Sequence, residues 1–393
     1  MIAIKSIVLH KGKEFSIQRR HPWVFSGAIN IKDNNIKDGD VIKIYSSSNQ
    51  FLATGHYQNG SISVRILSFE DDVIDASFYE DKIKKAFNYR QKINLTASAH
   101  TNVYRLIFGE SDGLPGLIID SYNFHFVIQC HSIGMHKQIH FIVDALSNIF
   151  KEQISTIYDK SAETLPKDYA STIKNGFLLG NNQNTIVKEN GNEFFIDWVN
   201  GQKTGFFIDQ RENRQLLASY SKDKKVLNTF CYTGGFSIYS AKAGAKEVHS
   251  IDVSKIAIEL TNKNAALNRL QNHTSTAIDT FDFLKTAGND YDVIVLDPPA
   301  FAKSRKVSHN AVMGYKRLNA EAIKIIKPGG IIFTFSCSQV INRELFFNTI
   351  TSAALEARRN VKILHYLTQP ADHPISLFFP EGEYLKGLVI YVE

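Results

Sequence analysis

From about residue 222 onward, strand-like and helix-like segments alternate regularly along the chain. Strands are predicted at "KVLNTF", "EVHSID", "DVIVLDPP" and "IIFTFS". Helical spacing is found in "GGFSIYSAKAG", in "SKIAIELTNKNAALN" and in a long segment that ends at the turn "KPGG". This order predicts an α/β fold with a parallel, doubly wound sheet. Ligands of such sheets bind at the carboxyl ends of the strands, so residues at those ends are the candidates for chemistry.

The segments before residue 222 predict further domains, as expected for 393 residues. Residues 1–72 contain short apolar runs separated by turn residues, which are typical of a small β-barrel. Residues 73–185 are interpreted as a central α+β domain, whose first helix starts at a capping box formed by Ser77 and Glu80. Residues 186–393 form the α/β domain, with a β-hairpin over residues 192–214 that runs into a helix.

Composition limits the class of protein. The three cysteines, Cys130, Cys231 and Cys337, are too few and too scattered for a disulfide framework or a metal site. They fit reduced thiols in a cytoplasmic protein. The sequence contains no signal peptide and no stretch of the ~18 apolar residues that a membrane span needs. The net charge of +6 is mild, but basic residues recur beside the motifs described below, which favours a polyanionic partner.

A nucleoside cofactor site is predicted around the segment "VLNTFCYTGGFS". A strand leads into a turn with Gly234 and Gly235, where a ligand can approach the backbone closely. Asp252 ends the next strand, where a carboxylate can bind ribose hydroxyls, and Asp279 could meet the adenine amine or act as a helix N-cap. The loop lacks the G-x-G-x-x-G spacing of a pyrophosphate site, so S-adenosylmethionine (SAM) is favoured over a nicotinamide dinucleotide. The neighbouring candidate residues are Phe230, Tyr232, Thr233, Val253 and Thr280.

The segment "VIVLDPPAF" brings Asp297 to the end of a buried strand. Pro298 and Pro299 fix φ and stiffen the turn that follows, and Phe301 offers a face on which a base could stack. An Asp-Pro-Pro turn of this kind marks methyltransferases that act on bases, amides or other planar groups. The other candidate substrate contacts are Lys303 and Arg305.

Cys337, in "FTFSCSQ", narrows the choice among planar substrates. Cytosine C5 is a poor nucleophile, but addition of a thiolate at C6 makes it an enamine carbon that can accept a methyl group. Asp297 could then bind N3 and stabilise the charge that develops there. A core thiol is the competing interpretation, and it is preferred for Cys130 and Cys231. A target base inside folded RNA must be flipped out or already unpaired.

These segments together resemble the bacterial 23S ribosomal RNA large-subunit methyltransferase I family, which makes 5-methylcytosine. The resemblance runs from about residue 15 to the C-terminus and includes "RRHPWVFSGAI", "ESDGLPGLIIDSY", "GQKTGFFIDQRENR", "LDPPAFAKSR", "TFSCS" and "QPADHPISLFFPEGEYLKG". It implies an N-terminal PUA domain, a central α+β domain and a Rossmann-like catalytic domain. It also implies that Cys337 is the nucleophile, that Gln210 and Arg211 close over the cofactor, that 23S rRNA is the partner, and that the protein forms a homodimer.

The sequence departs from the family pattern at two positions. Asn228 stands where the family commonly has an acidic residue, so the contact to the cofactor's amino group lacks a charge. Ala300 stands where many other RNA cytosine-C5 methyltransferases have a second cysteine, so the group that takes the C5 proton is not identified. Two alternatives remain open: a guanine N-methyltransferase of the same fold, and a non-catalytic RNA-binding factor with a decayed cofactor pocket.

Overall fold

A computed structural model gives the fold and describes residues 5–96, 98–301 and 308–393, without the side chain of Ser308. The chain divides into two compact units. The first contains the chain through Thr185, together with Ile196–Phe206 and Ala371–Gly382; the second contains Ile186–Phe195, Phe207–Pro370 and Glu383–Glu393. The division into three domains at residues 72 and 185 stays a prediction.

The first unit begins with a six-stranded sheet, in the order β2-β6-β5-β4-β1-β3. Its elements are β1 (Ser6–Leu9), α1 (Phe15–Gln18), β2 (Trp23–Phe25), β3 (Ile29–Lys32), β4 (Val41–Tyr45), β5 (Phe51–Tyr57) and β6 (Ile62–Ser68). Strands β1 and β4 are parallel, and the other described pairs are antiparallel. Alternate side chains of β1 and β4 are buried, because successive residues of a strand point to opposite faces of the sheet.

A second sheet of this unit has five strands, in the order β11-β10-β9-β8-β7. Its strands are β7 (Val103–Phe108), β8 (Leu117–Tyr122), β9 (His125–Cys130), β10 (Thr156–Asp159) and β11 (Gly176–Leu179). The helices of this region are α2 (Ala76–Lys92), α3 (Ile133–Lys137), α4 (Ile139–Phe150) and α5 (Lys167–Ala170). The predicted capping box is wrong. Asp75 caps α2 by accepting from the amide of Phe78 at 3.1 Å, and Ser77 instead donates its hydroxyl to Asp75.

The predicted hairpin exists but lies further upstream than expected. It pairs β12 (Asn184–Glu189) with β13 (Asn192–Asp197), whereas residues 198–207 contain no strand. The part of the predicted hairpin that contains the apolar run "TGFF" instead forms an irregular segment before the helix α6 (Arg211–Ser219). The residues 208–210 that introduce α6 become important in the active site.

The second unit is built on a seven-stranded sheet, in the order β16-β15-β14-β17-β18-β20-β19. Its strands are β14 (Lys225–Thr229), β15 (Glu247–Asp252), β16 (His273–Ala277), β17 (Tyr291–Leu296), β18 (Ile326–Ser336), β19 (Val361–Leu367) and β20 (Lys386–Val392). Its helices after α6 are α7 (Gly235–Lys242), α8 (Lys255–Leu267), α9 (Thr280–Thr286), α10 (Ser308–Ile325) and α11 (Arg343–Ala357).

The prediction of an entirely parallel sheet is corrected at one edge. The pairs from β16 to β18 are parallel, but β20 runs antiparallel to both of its neighbours. The turn "KPGG" is also part of β18 rather than a separator before it, and the register between β17 and β18 shifts there. The central strands are buried on both faces, as expected for a parallel sheet covered by helices. In the described part of the chain, no helix combines the length and the apolar character that a membrane crossing requires.

Candidate active site

The candidate residues of the second unit lie together at the carboxyl ends of its parallel strands. Strands β14, β17 and β18 are adjacent and parallel, so their carboxyl ends lie side by side. Asp297 follows β17 directly, and Cys337 follows β18 directly. Because Leu296 is in register with Thr334, the two chemical groups leave the sheet on neighbouring strands, within a few residues of each other.

Cys337 differs from the other two cysteines in its exposure. Cys130 and Cys231 are buried, in agreement with the interpretation of both as packing residues, whereas Cys337 is partly exposed. Cys231 lies beside the cofactor loop, where its Sγ is 3.4 Å from the hydroxyl oxygen of Thr261. A nucleophile must be reachable by its substrate, and of the three thiols only Cys337 meets this requirement.

The surroundings of Asp297 and Cys337 favour the protonated form of each group. Burial raises the pKa of the Asp297 carboxyl to about 7; the charge of Asp209 adds to the shift, and a hydrogen bond from Gln210 opposes it. Burial also raises the pKa of the Cys337 thiol to about 11, and the charges of Asp297 and Asp209 act in the same direction. A carboxyl with a pKa near 7 can serve as a proton donor at physiological pH. The thiol, in contrast, has to be deprotonated during the reaction.

The charge of a buried lysine, Lys386, favours the thiolate form of Cys337. Lys386 is in register with Ser336, the residue just before Cys337, and its ammonium group donates to the backbone oxygens of Ser338 at 2.8 Å and Tyr384 at 2.7 Å. Burial lowers the pKa of Lys386 to about 8, which the proximity of Cys337 partly offsets. The sequence analysis did not identify this lysine, although the motif "QPADHPISLFFPEGEYLKG" contains it.

Asp209 is a second residue that the sequence analysis missed. It precedes Gln210, and its Oδ2 accepts a hydrogen bond of 2.6 Å from the hydroxyl of Tyr384. Its Oδ1 is buried and has no hydrogen-bond partner among the described residues. The motif "FFIDQR" was noted for Gln210 and Arg211, so the signal for Asp209 was present but was not used.

Gln210 and Arg211, expected to close over the cofactor, are both buried at the start of α6. Gln210 bonds the carboxylate of Asp297 and accepts from the side chain of Asn213 at 2.6 Å. The Nε of Arg211 lies 3.4 Å from Glu212. In this state of the protein Gln210 therefore orients Asp297, and the cofactor role of both residues stays a prediction.

The loop between β14 and α7 has a strained backbone. Phe230 and Tyr232 adopt φ angles of 53° and 46°, and Gly234 has φ of 77°. Positive φ is costly for side chains with a Cβ, and such strain concentrates at functional sites. Helix α8 holds the loop in this shape: Thr261 donates to the oxygen of Tyr232 at 2.9 Å, and Asn264 donates to the oxygen of Thr233 at 2.8 Å.

Replacement of Gly234 by alanine is expected to damage this loop. A Cβ at Gly234 would lie 2.8 Å from Cγ2 of Thr261, in addition to requiring positive φ. We expect the left-handed backbone to cost about 1–2 kcal/mol and the clash to add about 1–3 kcal/mol. Thermal unfolding and SAM calorimetry measure the two consequences, a lower melting temperature and weaker binding. Gly12→Ala is the matched control, since Gly12 has φ of 83° but nothing within 4 Å; equal losses in both variants would contradict the role of the Thr261 contact.

Gly235 follows in the first turn of α7 and faces a buried ion pair. Its Cβ would lie 3.1 Å from Cδ of Arg214. Arg214 makes two hydrogen bonds of 2.8 Å to the carboxylate of Glu189, which also accepts from the hydroxyl of Tyr239 at 3.0 Å. Because both charges are buried and paired, loss of either one would leave the other uncompensated. The absence of a side chain at Gly235 thus lets α6 pack closely against the start of α7, where the cofactor loop ends.

The ends of β15 and β16 carry the predicted contacts to ribose and adenine. Asp252 accepts from the amides of Tyr232 at 3.1 Å and Ser254 at 2.9 Å, so it ties the cofactor loop to the end of β15. Val253 beside it is 72% exposed, which is unusual for valine and leaves an apolar surface for a planar ring. Asp279 caps α9 through Oδ1, which is the alternative that the sequence analysis left open, and Thr280 behind it is buried.

Asn228 gives a test of whether the site fits the cofactor. Its amide nitrogen donates to the hydroxyl of Ser237 at 2.8 Å, but its Oδ1 is buried and has no partner among the described residues. A buried acceptor without a donor is costly, and an ammonium group would satisfy it. The orphaned acceptor at the end of β14, the open glycine turn and the acidic residue at the end of β15 together fit SAM.

The predicted substrate contacts lie on the Asp-Pro-Pro turn and in the segment that follows it. Pro298 is buried and Pro299 is exposed, so the turn both anchors to the sheet and reaches the surface. Phe301 packs on Tyr315 with ring centroids 4.7 Å apart, and it is only partly buried. Lys303 and Arg305 lie outside the described residues. Within the described ranges, no group of three or more His, Cys, Asp or Glu side chains is arranged to hold a metal ion.

Comparison with known proteins identifies the family. Residues 7–69 match a PUA-like domain, and residues 164–379 match the S-adenosylmethionine-dependent methyltransferase family. Ribosomal RNA large subunit methyltransferase I of Aeromonas hydrophila is 40% identical over 395 residues, which cover 98% of each chain. The chain belongs to this methyltransferase I family. The resemblance inferred from the motifs is therefore confirmed, and so is SAM as the cofactor.

A second member of the family is equally similar in sequence, and solved methyltransferase structures share the fold. Methyltransferase I of Aeromonas salmonicida is also 40% identical, over 98% of each chain. A SAM-dependent methyltransferase structure from Streptococcus mutans superposes with a TM-score of 0.84 at 22% identity, covering 98% of this chain and 100% of that one. A further methyltransferase structure, complexed with SAH, has the same TM-score at 23% identity and the same coverage. The predicted fold class, an α/β methyltransferase domain with a PUA-like N-terminal domain, is confirmed.

Proposed function

We propose that this protein methylates carbon 5 of a cytosine in 23S ribosomal RNA, with SAM as methyl donor and Cys337 as nucleophile. The observation that carries the proposal is the position of a partly exposed thiol at the end of β18, beside the Asp-Pro-Pro turn at the end of β17. A methyltransferase that acts on an amine or ring nitrogen has no use for a thiol at this place. Methylation of C5 does have a use for a thiol, because addition of the thiolate to C6 makes C5 nucleophilic.

The proposed reaction uses Asp297 in the protonated form that its burial favours, and Cys337 as the thiolate, which forms when the thiol loses its proton to solvent. The Cys337 thiolate adds to C6, and the electrons of the C5–C6 double bond move toward N3. Asp297, whose pKa lies at about 7, donates a proton to N3 and so neutralises the charge that develops there. C5 then accepts the methyl group that the sulfonium of bound SAM supplies.

Ribosomal RNA is the proposed substrate because the relatives at 40% identity are ribosomal RNA large subunit methyltransferases and match along the whole chain. A PUA-like domain at residues 7–69 supports an RNA partner, as does the net charge of +6, since binding to phosphates is mainly electrostatic. Cytoplasmic location and a homodimer are part of the same proposal.

The site of modification can be found directly. Ribosomal RNA from cells with and without the gene is digested, and the position of each 5-methylcytosine is mapped by mass spectrometry. We expect one 5-methylcytosine of 23S rRNA to be lost with the gene and restored by the purified full-length chain with SAM. Loss of a methylguanine instead would favour the N-methyltransferase alternative and contradict the proposal.

Binding of SAM separates an enzyme from an RNA-binding factor whose pocket has decayed. We expect calorimetry to give a clear heat of SAM binding, because the orphaned oxygen of Asn228 gains a donor. Asn228→Asp is expected to tighten binding of SAM, whose amino group is positive, by about tenfold or less. The control ligand is an analogue of SAM in which hydrogen replaces the amino group; it should bind the unmodified protein and Asn228→Asp alike. Absence of any binding heat in the unmodified protein would contradict the enzymatic proposal.

A further inference from the structure

The proposed reaction leaves one proton without a destination. After methyl transfer, C5 of the cytosine carries both a hydrogen and the new methyl group, and C6 remains bonded to the Cys337 sulfur. Product forms only when a base removes the C5 hydrogen. The position after the two prolines, which is a cysteine in many related RNA enzymes, is Ala300 in this chain. A methyl side chain cannot accept a proton.

We propose that Asp209 is the base that removes the C5 proton. This assignment rests on the proposed function and adds one residue to it. Its Oδ2 is fixed by a hydrogen bond of 2.6 Å from Tyr384, whereas Oδ1 is buried and has no partner among the described residues. A carboxylate held by one oxygen, with the other free to accept, is arranged for proton abstraction.

The position of Asp209 agrees with the stereochemistry. When the ring lies between the thiol and the methyl donor, sulfur and methyl join it from opposite faces, and the C5 hydrogen is pushed to the sulfur face. The base must therefore lie on the side of the nucleophile. Tyr384, which holds Asp209, precedes β20, and β20 pairs with β18, the strand that ends at the nucleophile.

Two further observations connect Asp209 with the reacting groups. Its neighbour Gln210 bonds the carboxylate of Asp297, and the charge of Asp209 raises the pKa of both Asp297 and Cys337. Asp209 is thus close enough to influence both residues. The same negative charge would favour departure of a proton from the ring once the methyl group has been added.

The other charged groups described near Cys337 are already engaged. The phenol of Tyr315 also lies near the thiol, but burial raises its pKa, and a protonated phenol cannot act as the base. Asp297 is assigned to N3, which lies across the cytosine ring from C6. The ammonium of Lys386 donates to two backbone oxygens, and Glu383 pairs with Arg343. Asp209 is the remaining carboxylate in the described surroundings of the thiol.

The step balances without any further reactant. The Asp209 carboxylate takes the C5 hydrogen as a proton, and the electrons of the C5–H bond restore the C5–C6 double bond. The C6–S bond breaks, and its electron pair leaves with Cys337 as thiolate. Asp209 is then neutral and returns its proton to solvent, which regenerates the starting carboxylate. The proton on N3 returns to the Asp297 carboxylate, so neutral 5-methylcytosine is released and Asp297 is protonated again.

The test uses the full-length Asp209→Asn variant, 23S rRNA from cells that lack the gene, and SAM with a tritiated methyl group. Because methyl transfer precedes proton removal, we expect the variant to form a denaturant-stable protein–RNA complex that carries tritium. We expect release of 5-methylcytosine to fall by at least about a hundredfold. Tyr384→Phe is the comparison variant, since it breaks the hydrogen bond that fixes Asp209 but keeps the carboxylate; it should release product more slowly than the unmodified protein and accumulate less of the complex than Asp209→Asn.

Several outcomes would overturn the assignment. Weaker SAM binding by Asp209→Asn in calorimetry would make Asp209 a cofactor ligand, and loss of activity without a labelled complex would place it before methyl transfer or in a structural role. Normal turnover would exclude it altogether. Failure of the proposed function gives a different result: Cys337→Ala would then keep its activity, whatever Asp209→Asn does.

Discussion

Replacement of Cys337 by alanine is expected to lower formation of 5-methylcytosine by at least about a thousandfold, because the ring carbon has no other route to activation. The thiol is the partly exposed one among the three cysteines and stands at the carboxyl end of β18. Serine at the same position should be nearly as inactive, since its hydroxyl is a far weaker nucleophile. The measurement is single-turnover transfer of tritiated methyl from SAM to 23S rRNA.

Two controls make the result specific. SAM affinity of Cys337→Ala, measured by calorimetry, should equal that of the unmodified protein, because the cofactor loop follows β14 rather than β18. Cys130→Ala is the matched cysteine variant; Cys130 is fully buried in the core of the first unit, so we expect lower thermal stability but preserved methyl transfer. Retained turnover in Cys337→Ala would exclude the covalent route and favour methylation of a nitrogen.

Replacement of Asp297 by asparagine is expected to lower kcat/KM by about a hundredfold to a thousandfold, because N3 loses its proton donor. Asparagine keeps the size of the side chain and can still accept the hydrogen bond from Gln210. The loss should appear in kcat rather than in SAM affinity, and single-turnover kinetics under saturating SAM would measure it. A loss confined to SAM binding would contradict the assignment of Asp297 to the substrate.

The pH dependence gives a sharper test of the role of Asp297. The reactive form needs Asp297 protonated and Cys337 ionised, and their pKa values are about 7 and about 11. Below pH 7 the carboxyl is protonated, so kcat/KM rises tenfold per pH unit with the thiolate fraction. Above pH 7 the gain in thiolate is cancelled by the loss of the acid, so the profile becomes flat.

Asp297→Asn removes this cancellation. The variant has no carboxyl group at this position that could ionise, so its kcat/KM should continue to rise above pH 7. The measurement covers about pH 6 to 8.5. If Asp297 acted instead as a carboxylate, the unmodified enzyme itself would keep rising above pH 7, and its slope below pH 7 would be steeper. The slope of the unmodified enzyme above pH 7 therefore distinguishes the two roles.

The central part of the fold was predictable because its signals are local. Buried parallel strands are continuous apolar runs, and "VIVL" before Asp297 has no polar residue that would place it at the surface. The antiparallel strand β20 was not recognised, because the direction of a strand depends on its partners and not on its own residues. The early start of β18 was missed for a related reason: Gly329 and Gly330 usually end an element, but here they lie within a strand whose register shifts.

The candidate site was predictable where a residue ends a strand, as Asp252 does, or directly follows one, as Asp297 and Cys337 do. Asp209 and Lys386 were missed because they come from segments that are distant in sequence and become neighbours of the thiol only through tertiary packing. The protonation states of Asp297 and Cys337 could not be predicted from the sequence either. Burial outweighs the charge of Lys386 and raises the pKa of the Cys337 thiol, and burial of this kind depends on tertiary packing.

The covalent bond between Cys337 and the target base can be measured directly with 23S rRNA transcribed with 5-fluorocytidine. Fluorine at C5 cannot leave as a proton does, so the last step is blocked after methyl transfer and the C6–S bond persists. After digestion with trypsin and nuclease, mass spectrometry should find a methylated fluorocytidine nucleotide on the peptide that contains Cys337. Absence of any adduct with a preparation that methylates normal rRNA, or an adduct on a different residue, would contradict the proposed mechanism.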